Sequence, residues 1–378
     1  MKKRNICILY GIALLQGMVF YAPVATLYRQ AAGLGIFQIT LMESISYALT
    51  IAMEIPWGYV ADRIGYRKTM VLCCGLYALS KLIFWQATSF FGFLLERILL
   101  GVVCAGLSGV DSSLLYLSCE PEEAHRVFSR YQNLGQIGLL LAAGGFALFI
   151  GEDYRLAALL TLGSYTLAAL LSLGLQEVER SPEPGQTVGF RAALQSVWQH
   201  PKVLGLVLAA ALLSQTDQMV TVFLNQLKYI QVGMSTEGIS AAYIVLSLVG
   251  IVGGLSAALG QVLGKDKMGT LLLLAGGAAC CWMALTDRAW SSVGAVLLFS
   301  CCANLFRPLV MDQENEAVQT HDRATVLSVY TALEDGVCIG LSLIYGALAE
   351  KSLTLSLLVG GGMCLLAVML YRVSRGKK

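Results

Sequence analysis

The chain has 378 residues, 57% of them hydrophobic and only 13% charged, and its net charge is +2. So small a charged fraction cannot cover a soluble domain of this size. The near-zero net charge, with no basic tract or aromatic–basic array, gives no footing for a nucleic acid.

Apolar stretches about 20 residues long, each enough to cross the hydrocarbon layer as a helix, recur from end to end. Twelve spans are predicted, over 5–28, 36–59, 68–88, 90–118, 129–151, 155–175, 203–227, 238–261, 268–287, 290–313, 324–349 and 352–372. The first follows Met1-Lys2-Lys3-Arg4. Its apolar run is too long for a secretory h-region and no small-x-small cleavage site follows, so it reads as a retained span anchored by cytoplasmic positive charge. Between the sixth and seventh spans, residues 176–202 form a charged hinge containing Pro and Gly. Within it Phe190, Leu194 and Val197 recur at helical spacing beside Trp198. A short helix lying at the cytoplasmic interface fits that pattern, with an irregular tether as the alternative. The hinge divides the chain into 1–175 and 203–378, so the expected fold is all-α and integral to the lipid bilayer, with twelve transmembrane helices in two six-helix bundles. With both termini cytoplasmic, the outside segments hold only Arg29, Arg155, Lys228, Arg288 and Lys351. Lys81, Arg97 and Arg307 fall within spans and the remaining basic residues lie inside, as the positive-inside rule requires. The setting this predicts is a bacterial-like cell membrane.

The 39 glycines suit helices that approach closely in lipid. The 11 cysteines are odd in number, and Cys73–Cys74, Cys280–Cys281 and Cys301–Cys302 are neighbours in apolar helices that point apart. With no CxxC and no Cys/His spacing for zinc, they are expected to be small packing residues. No metal and no other cofactor is expected.

The loop between spans two and three reads Gly58-Tyr59-Val60-Ala61-Asp62-Arg63-Ile64-Gly65-Tyr66-Arg67-Lys68. Gly58 permits close packing and Gly65 a tight turn. Asp62 can favour the positive end of a neighbouring helix, while Arg63, Arg67 and Lys68 hold the loop to the cytoplasmic surface. An orientation signal alone would also use such a basic loop. The segment resembles the gating loop of the major facilitator superfamily (MFS), G-x-x-x-D-R-x-G-R-R/K-R/K, with Tyr66 at the first basic position. Arg97-Ile98-Leu99-Leu100-Gly101 is similar to that family's R-x-x-x-G motif of proton-linked members, and Glu54-Ile55-Pro56-Trp57-Gly58 resembles the entry to the gating loop of bacterial drug-efflux-like members. Asn315-Glu316 and Arg323 through Ser328 resemble the approach to span eleven in that group. The mirrored loop keeps Gly264, Lys265, Asp266 and Lys267 in degraded form. Span five has Gly135, Gly138, Gly144 and Gly145 but not the Gly-Pro of the antiporter signature. The resemblance implies a gate made by Gly58, Asp62, Arg63, Gly65, Arg67 and Lys68, two rocking bundles and transport of a solute.

Ionisable groups inside spans are costly and usually line a cavity or pair with one another. At helical spacing Glu43, Tyr47, Thr50 and Glu54 share a face of span two, and Arg97, Gly101, Ser108 and Asp111 a face of span four. Thr331, Asp335, Cys338, Ser342 and Tyr345 form a stripe on span eleven with Glu334 beside it. Gln16 and Tyr21 in span one, Gln215, Asp217, Gln218 and Asn225 in span seven, and Asn304 in span ten add polar groups. The expected pathway residues are Gln16, Tyr21, Glu43, Tyr47, Asp111, Gln215, Asp217, Gln218, Asn304, Asp335 and Tyr345. Glu54, Arg97, Asp111, Asp217, Glu334 and Asp335 are the expected proton-coupling groups, led by Asp217 and Asp335. Permanent ion pairs or packing hydrogen bonds are the competing roles. Arg307, with Asp312, Glu314 and Glu316 after it, reads as a gate or surface cluster, and Lys81 receives no role.

These residues predict a transporter acting as a monomer, with a small organic solute and protons as its partners. Proton-driven export of an amphiphilic or drug-like compound leads, and import of a small metabolite follows. No P-loop is present for ATP. An enzyme would need a convergent catalytic constellation, and His125, His200 and His321 all fall in predicted cytoplasmic segments. A non-transporting receptor or scaffold is the alternative of another class.

Overall fold

The computed structural model describes residues 2–120, 123–178, 201–317 and 323–375. Among the described residues every regular element is helical, and twelve helices are long and apolar enough to cross a membrane. They run from Lys3–Ala31 to Leu353–Arg375 and match the predicted spans with shifts of a few residues. The expected interfacial helix around Phe190, Leu194 and Val197 falls outside the described residues.

The helices are α1 (Lys2–Gly17), α2 (Ala25–Ala31), α3 (Ile36–Ile64), α4 (Tyr66–Gln86), α5 (Phe90–Leu107), α6 (Val110–Leu117), α7 (Ala124–Gly145) and α8 (Tyr154–Ser172). They continue as α9 (Pro201–Gln218), α10 (Asn225–Gln231), α11 (Thr236–Val249), α12 (Ser256–Leu263), α13 (Lys265–Leu285), α14 (Ala289–Ala317), α15 (Arg323–Lys351) and α16 (Leu353–Arg375). Several spans are broken for local reasons. Span one turns through a 3-10 segment, Ala22–Val24, built on Pro23. Span four breaks at Gly109, whose φ of 81° ends α5 and starts α6. Span seven widens into a π-helical stretch, Met219–Leu224, between α9 and α10. The same signals recur in both halves of the chain. The 21-residue helices α4 and α13 each start directly after a positive-φ glycine, Gly65 or Gly264.

The chain forms two compact units. The first comprises Met1–Leu34, Ile45–Glu183 and Thr236–Ile244. In it α1 packs on α7 and α8, and α4 on α5 and α8. The α1–α7 crossing explains two of the span-five glycines. A Cβ on Gly138 would overlap the Leu14 carbonyl, and one on Gly17 would overlap the Gly135 carbonyl. Small residues thus bring the two backbones together where lipid offers no hydrophobic drive between helices.

The second unit comprises Gly35–Ser44, Pro184–Ser235 and Val245–Lys378. Here α13 packs on α14 and α16, while α9 packs on α14, α15 and α16. The Tyr371 hydroxyl donates to the Lys265 carbonyl at 3.2 Å and accepts from Gln313 Nε2 at 2.9 Å. Asp266 pairs with Arg375, and Lys265 with Asp312, at the same end of the unit. All eleven cysteines are free thiols, and seven of them are buried.

Candidate functional site

Three helices of the second unit enclose a cavity of about 320 Å³. Each contributes one helical face. Ala210, Leu213, Ser214 and Asp217 come from α9, at the i, i+3, i+4 and i+7 positions that stack on one side of a helix. The stripe on α14 is Ala303, Phe306, Arg307, Val310 and Met311, and α15 adds Tyr330, Thr331 and Glu334. The wall is therefore largely apolar, with two carboxylates and one guanidinium set into it.

Asp217 sits one residue from the end of α9, immediately before the π-helical stretch. Such wide turns are rare and occur often where a helix must redirect a functional side chain. Its backbone carbonyl accepts from Thr221 Oγ1 at 2.7 Å. Its Oδ1 is buried and has no hydrogen-bond partner among the described residues. A buried acceptor left without a donor carries its full desolvation cost, so this oxygen calls for a proton or for a donor from outside the protein. Arg307 is the nearby charge that offsets it. The arginine precedes Pro308 within α14. Proline has no N–H to give the carbonyl one turn earlier, that of Asn304, and strains the helix there. Glu334 enters the same cavity, while Asp335 is not among its lining residues.

The first unit holds a different arrangement, a sealed charge cluster. Glu96 is 1% exposed, Arg29 1% and Lys81 4%. Glu96 lies 3.3 Å from Lys81 Nζ, 3.7 Å from Arg97 Nε and 3.9 Å from Arg29 Nη2. Lys81 also donates to the Tyr21 hydroxyl at 3.1 Å and has the rings of Tyr77 and Tyr165 within 5.4 Å. The Arg29 guanidinium lies 5.2 Å from the centre of the Phe84 ring. Cation–π contacts and the shared carboxylate together offset the cost of burying these charges. Arg29, expected in an outside segment, is instead buried in α2, and Lys81, given no role, bonds to both Glu96 and Tyr21. Sequence reasoning passed over Glu96 altogether. Its signal was an acid amid the apolar residues of span four, with partners that come from distant parts of the chain.

The gating-loop residues are also in the first unit. Gly65 has φ 97° and ψ 154°, a conformation reserved for glycine, and starts α4. The Arg67 N–H donates to Glu177 Oε1 at 3.2 Å, and its guanidinium to the Leu173 carbonyl at 3.4 Å. Glu177 thus sits at the positive end of α4, a role that sequence reasoning considered for Asp62 at a helix N-terminus. Arg63 reaches the Tyr59 hydroxyl at 3.5 Å. Asp62 and Lys68 are exposed, and Gly58 faces open space.

The other expected residues are dispersed. Tyr21 belongs to the charge cluster. Gln16 donates to Cys74 Sγ at 3.6 Å. Asp111 accepts from the Ser112 N–H and from the Tyr131 hydroxyl at 3.3 Å, bracing the start of α6. Arg97 flanks Glu96, Glu54 is exposed and Tyr47 is half-buried. In the second unit Gln218 donates to Glu43 at 3.4 Å. Gln215 donates to Ser342 at 2.7 Å, and Thr216 and the fully buried Tyr345 share a 2.7 Å hydroxyl contact. Asn304 donates back to Ser300 of its own helix. Of the residues singled out in the sequence, the cavity brings together Asp217, Glu334, Arg307 and Thr331.

Residues 6–342 match the sequence profile of the Major Facilitator Superfamily. No curated protein sequence matches the chain. Among solved structures, the chain is similar to a mutant form of the nucleoside transporter NupG, with 13% identity and a TM-score of 0.84 over 98% of this chain and 99% of that one. It is also similar to a bacterial homologue of the human lysosomal transporter Spinster in an inward-facing, unoccupied conformation, with 16% identity, a TM-score of 0.81 and coverage of 99% and 96%. A D-xylose-proton symporter gives 12% identity and a TM-score of 0.77 over 97% and 96% of the two chains.

Proposed function

The chain belongs to the major facilitator superfamily, and we propose that it exports a small organic, amphiphilic or drug-like solute in exchange for protons by alternating access. Its fold is that of a multi-pass membrane transporter rather than an enzyme. The observation that carries the finer reading is the cavity of the second unit, where Asp217 presents a buried, unpartnered carboxylate oxygen beside Arg307 and Glu334.

In this reading Asp217 holds a proton when the cavity is empty of solute, because a neutral carboxyl is cheaper in a poorly hydrated wall than a bare carboxylate. Solute arriving from the cytoplasm displaces that proton, and the loaded carrier reorients. Glu334 lies on the same wall and joins the coupling. The resemblance of Glu54 through Gly58 to drug-efflux-like members supports the outward direction. The setting is a bacterial-like cell membrane, with both termini cytoplasmic and a monomer as the working unit.

Import of a small metabolite is the second reading, favoured by the fold's likeness to a nucleoside transporter and a D-xylose-proton symporter. Purified protein in liposomes with imposed pH and voltage gradients separates the two. Exchange drives solute into an acid lumen, whereas symport drives it into an alkaline one. Equal movement with and without a proton gradient, together with no proton flux down a solute gradient, would rule out coupling. A receptor or scaffold would move no solute under any gradient.

A further inference from the structure

We propose that the cavity of the second unit selects a small monocationic amine with an apolar or aromatic body. This rests on the reading of that cavity as the solute site, and it names the chemical class that site takes.

Three observations carry it. First, the Asp217 oxygen is an acceptor without a donor, and a protonated amine supplies three N–H donors and a compensating charge together. Second, with Asp217 and Glu334 ionised, the lining's two carboxylates outweigh the single Arg307 guanidinium. A monocation balances that surplus. A carboxylic acid or phosphate would add to it, and a zwitterion would leave it unchanged. Third, Leu213, Phe306, Val310 and Met311 give a wall that favours an apolar body over a polyhydroxylated one. A space of about 320 Å³ is within the range that takes a small organic solute.

The test uses the full chain with Met311→Cys, a cavity-lining position, in a background where the exposed Cys7 and Cys104 are replaced by serine and alanine. Labelling by a small methanethiosulfonate reagent is measured in membrane vesicles with phenethylamine, N-acetylphenethylamine, 3-phenylpropionate or phenylalanine present. Phenethylamine is expected to slow labelling at concentrations about tenfold below those of the other three. Asp217→Asn is expected to erase that preference while labelling itself persists. Equal or better protection by the acid, the amide or the zwitterion overturns the amine assignment and leaves the solute site standing. Labelling that no compound slows does the same. A cysteine that never labels overturns the solute site itself, and the amine assignment with it.

Discussion

Lys81 Nζ lies 3.3 Å from Glu96 Oε1, with both side chains almost wholly sealed from solvent. The pair joins α4 to α5 and, through Tyr21 and Arg29, to the broken end of span one. A buried ion pair gains little over an apolar pair of similar shape, but losing one partner strands the other.

Glu96→Gln is therefore expected to destabilise the protein by about 3–5 kcal/mol, because it leaves the Lys81 and Arg29 cations facing a neutral amide. Thermal melting of the detergent-purified protein checks this. Adding Lys81→Met to Glu96→Gln is expected to recover part of the loss. A double variant as unstable as the sum of its singles would show that the two residues do not act as a pair.

Asp217→Asn is expected to abolish proton-driven solute accumulation in liposomes and to keep downhill exchange. The amide cannot cycle a proton, yet it still donates and accepts in the cavity. Accumulation that survives at the wild-type level would remove Asp217 from the coupling step.

Gly65 and Gly58 lie in one motif but predict opposite outcomes. Gly65→Ala forces a side chain into a glycine conformation and toward the Glu177 carboxylate, 2.5 Å from the added carbon. A cost of about 1–3 kcal/mol is expected. Gly58 is helical and meets nothing within 4 Å, so Gly58→Ala should leave stability unchanged or raise it by up to about 1 kcal/mol. Melting temperatures of the two variants side by side test the contrast.

Gly138→Ala places a methyl against the Leu14 carbonyl, which belongs to backbone and cannot turn aside. The α1–α7 crossing must open, at about 1–3 kcal/mol. Gly144→Ala, six residues further along α7 with no neighbour within 4 Å, is the control and should be tolerated.

The spans were legible because lipid imposes a length and a composition on any crossing helix, and both are local properties of sequence. Gly65 was legible for a similar reason, since a turn signal between two apolar runs needs no tertiary partner. Asp217 and Glu334 could be nominated because a carboxylate in a span is rare enough to stand out. What joins them was not legible. Arg307 carries the cavity's positive charge, but its run of nearby acids suggested a surface. The Lys81–Glu96–Arg29 cluster draws on α2, α4 and α5, so a search for faces on single helices could find only isolated charges. Glu177 was passed over because it lies at the edge of the hinge, away from the motif it contacts.

Pro308 withholds an N–H from the Asn304 carbonyl, one turn before it in α14 and next to Arg307. A rod cut part-way through bends at the cut. A small flexion at this point would carry the guanidinium toward or away from Asp217 without any change of rotamer. The electrostatic field inside the cavity is thereby tied to the curvature of a single backbone segment.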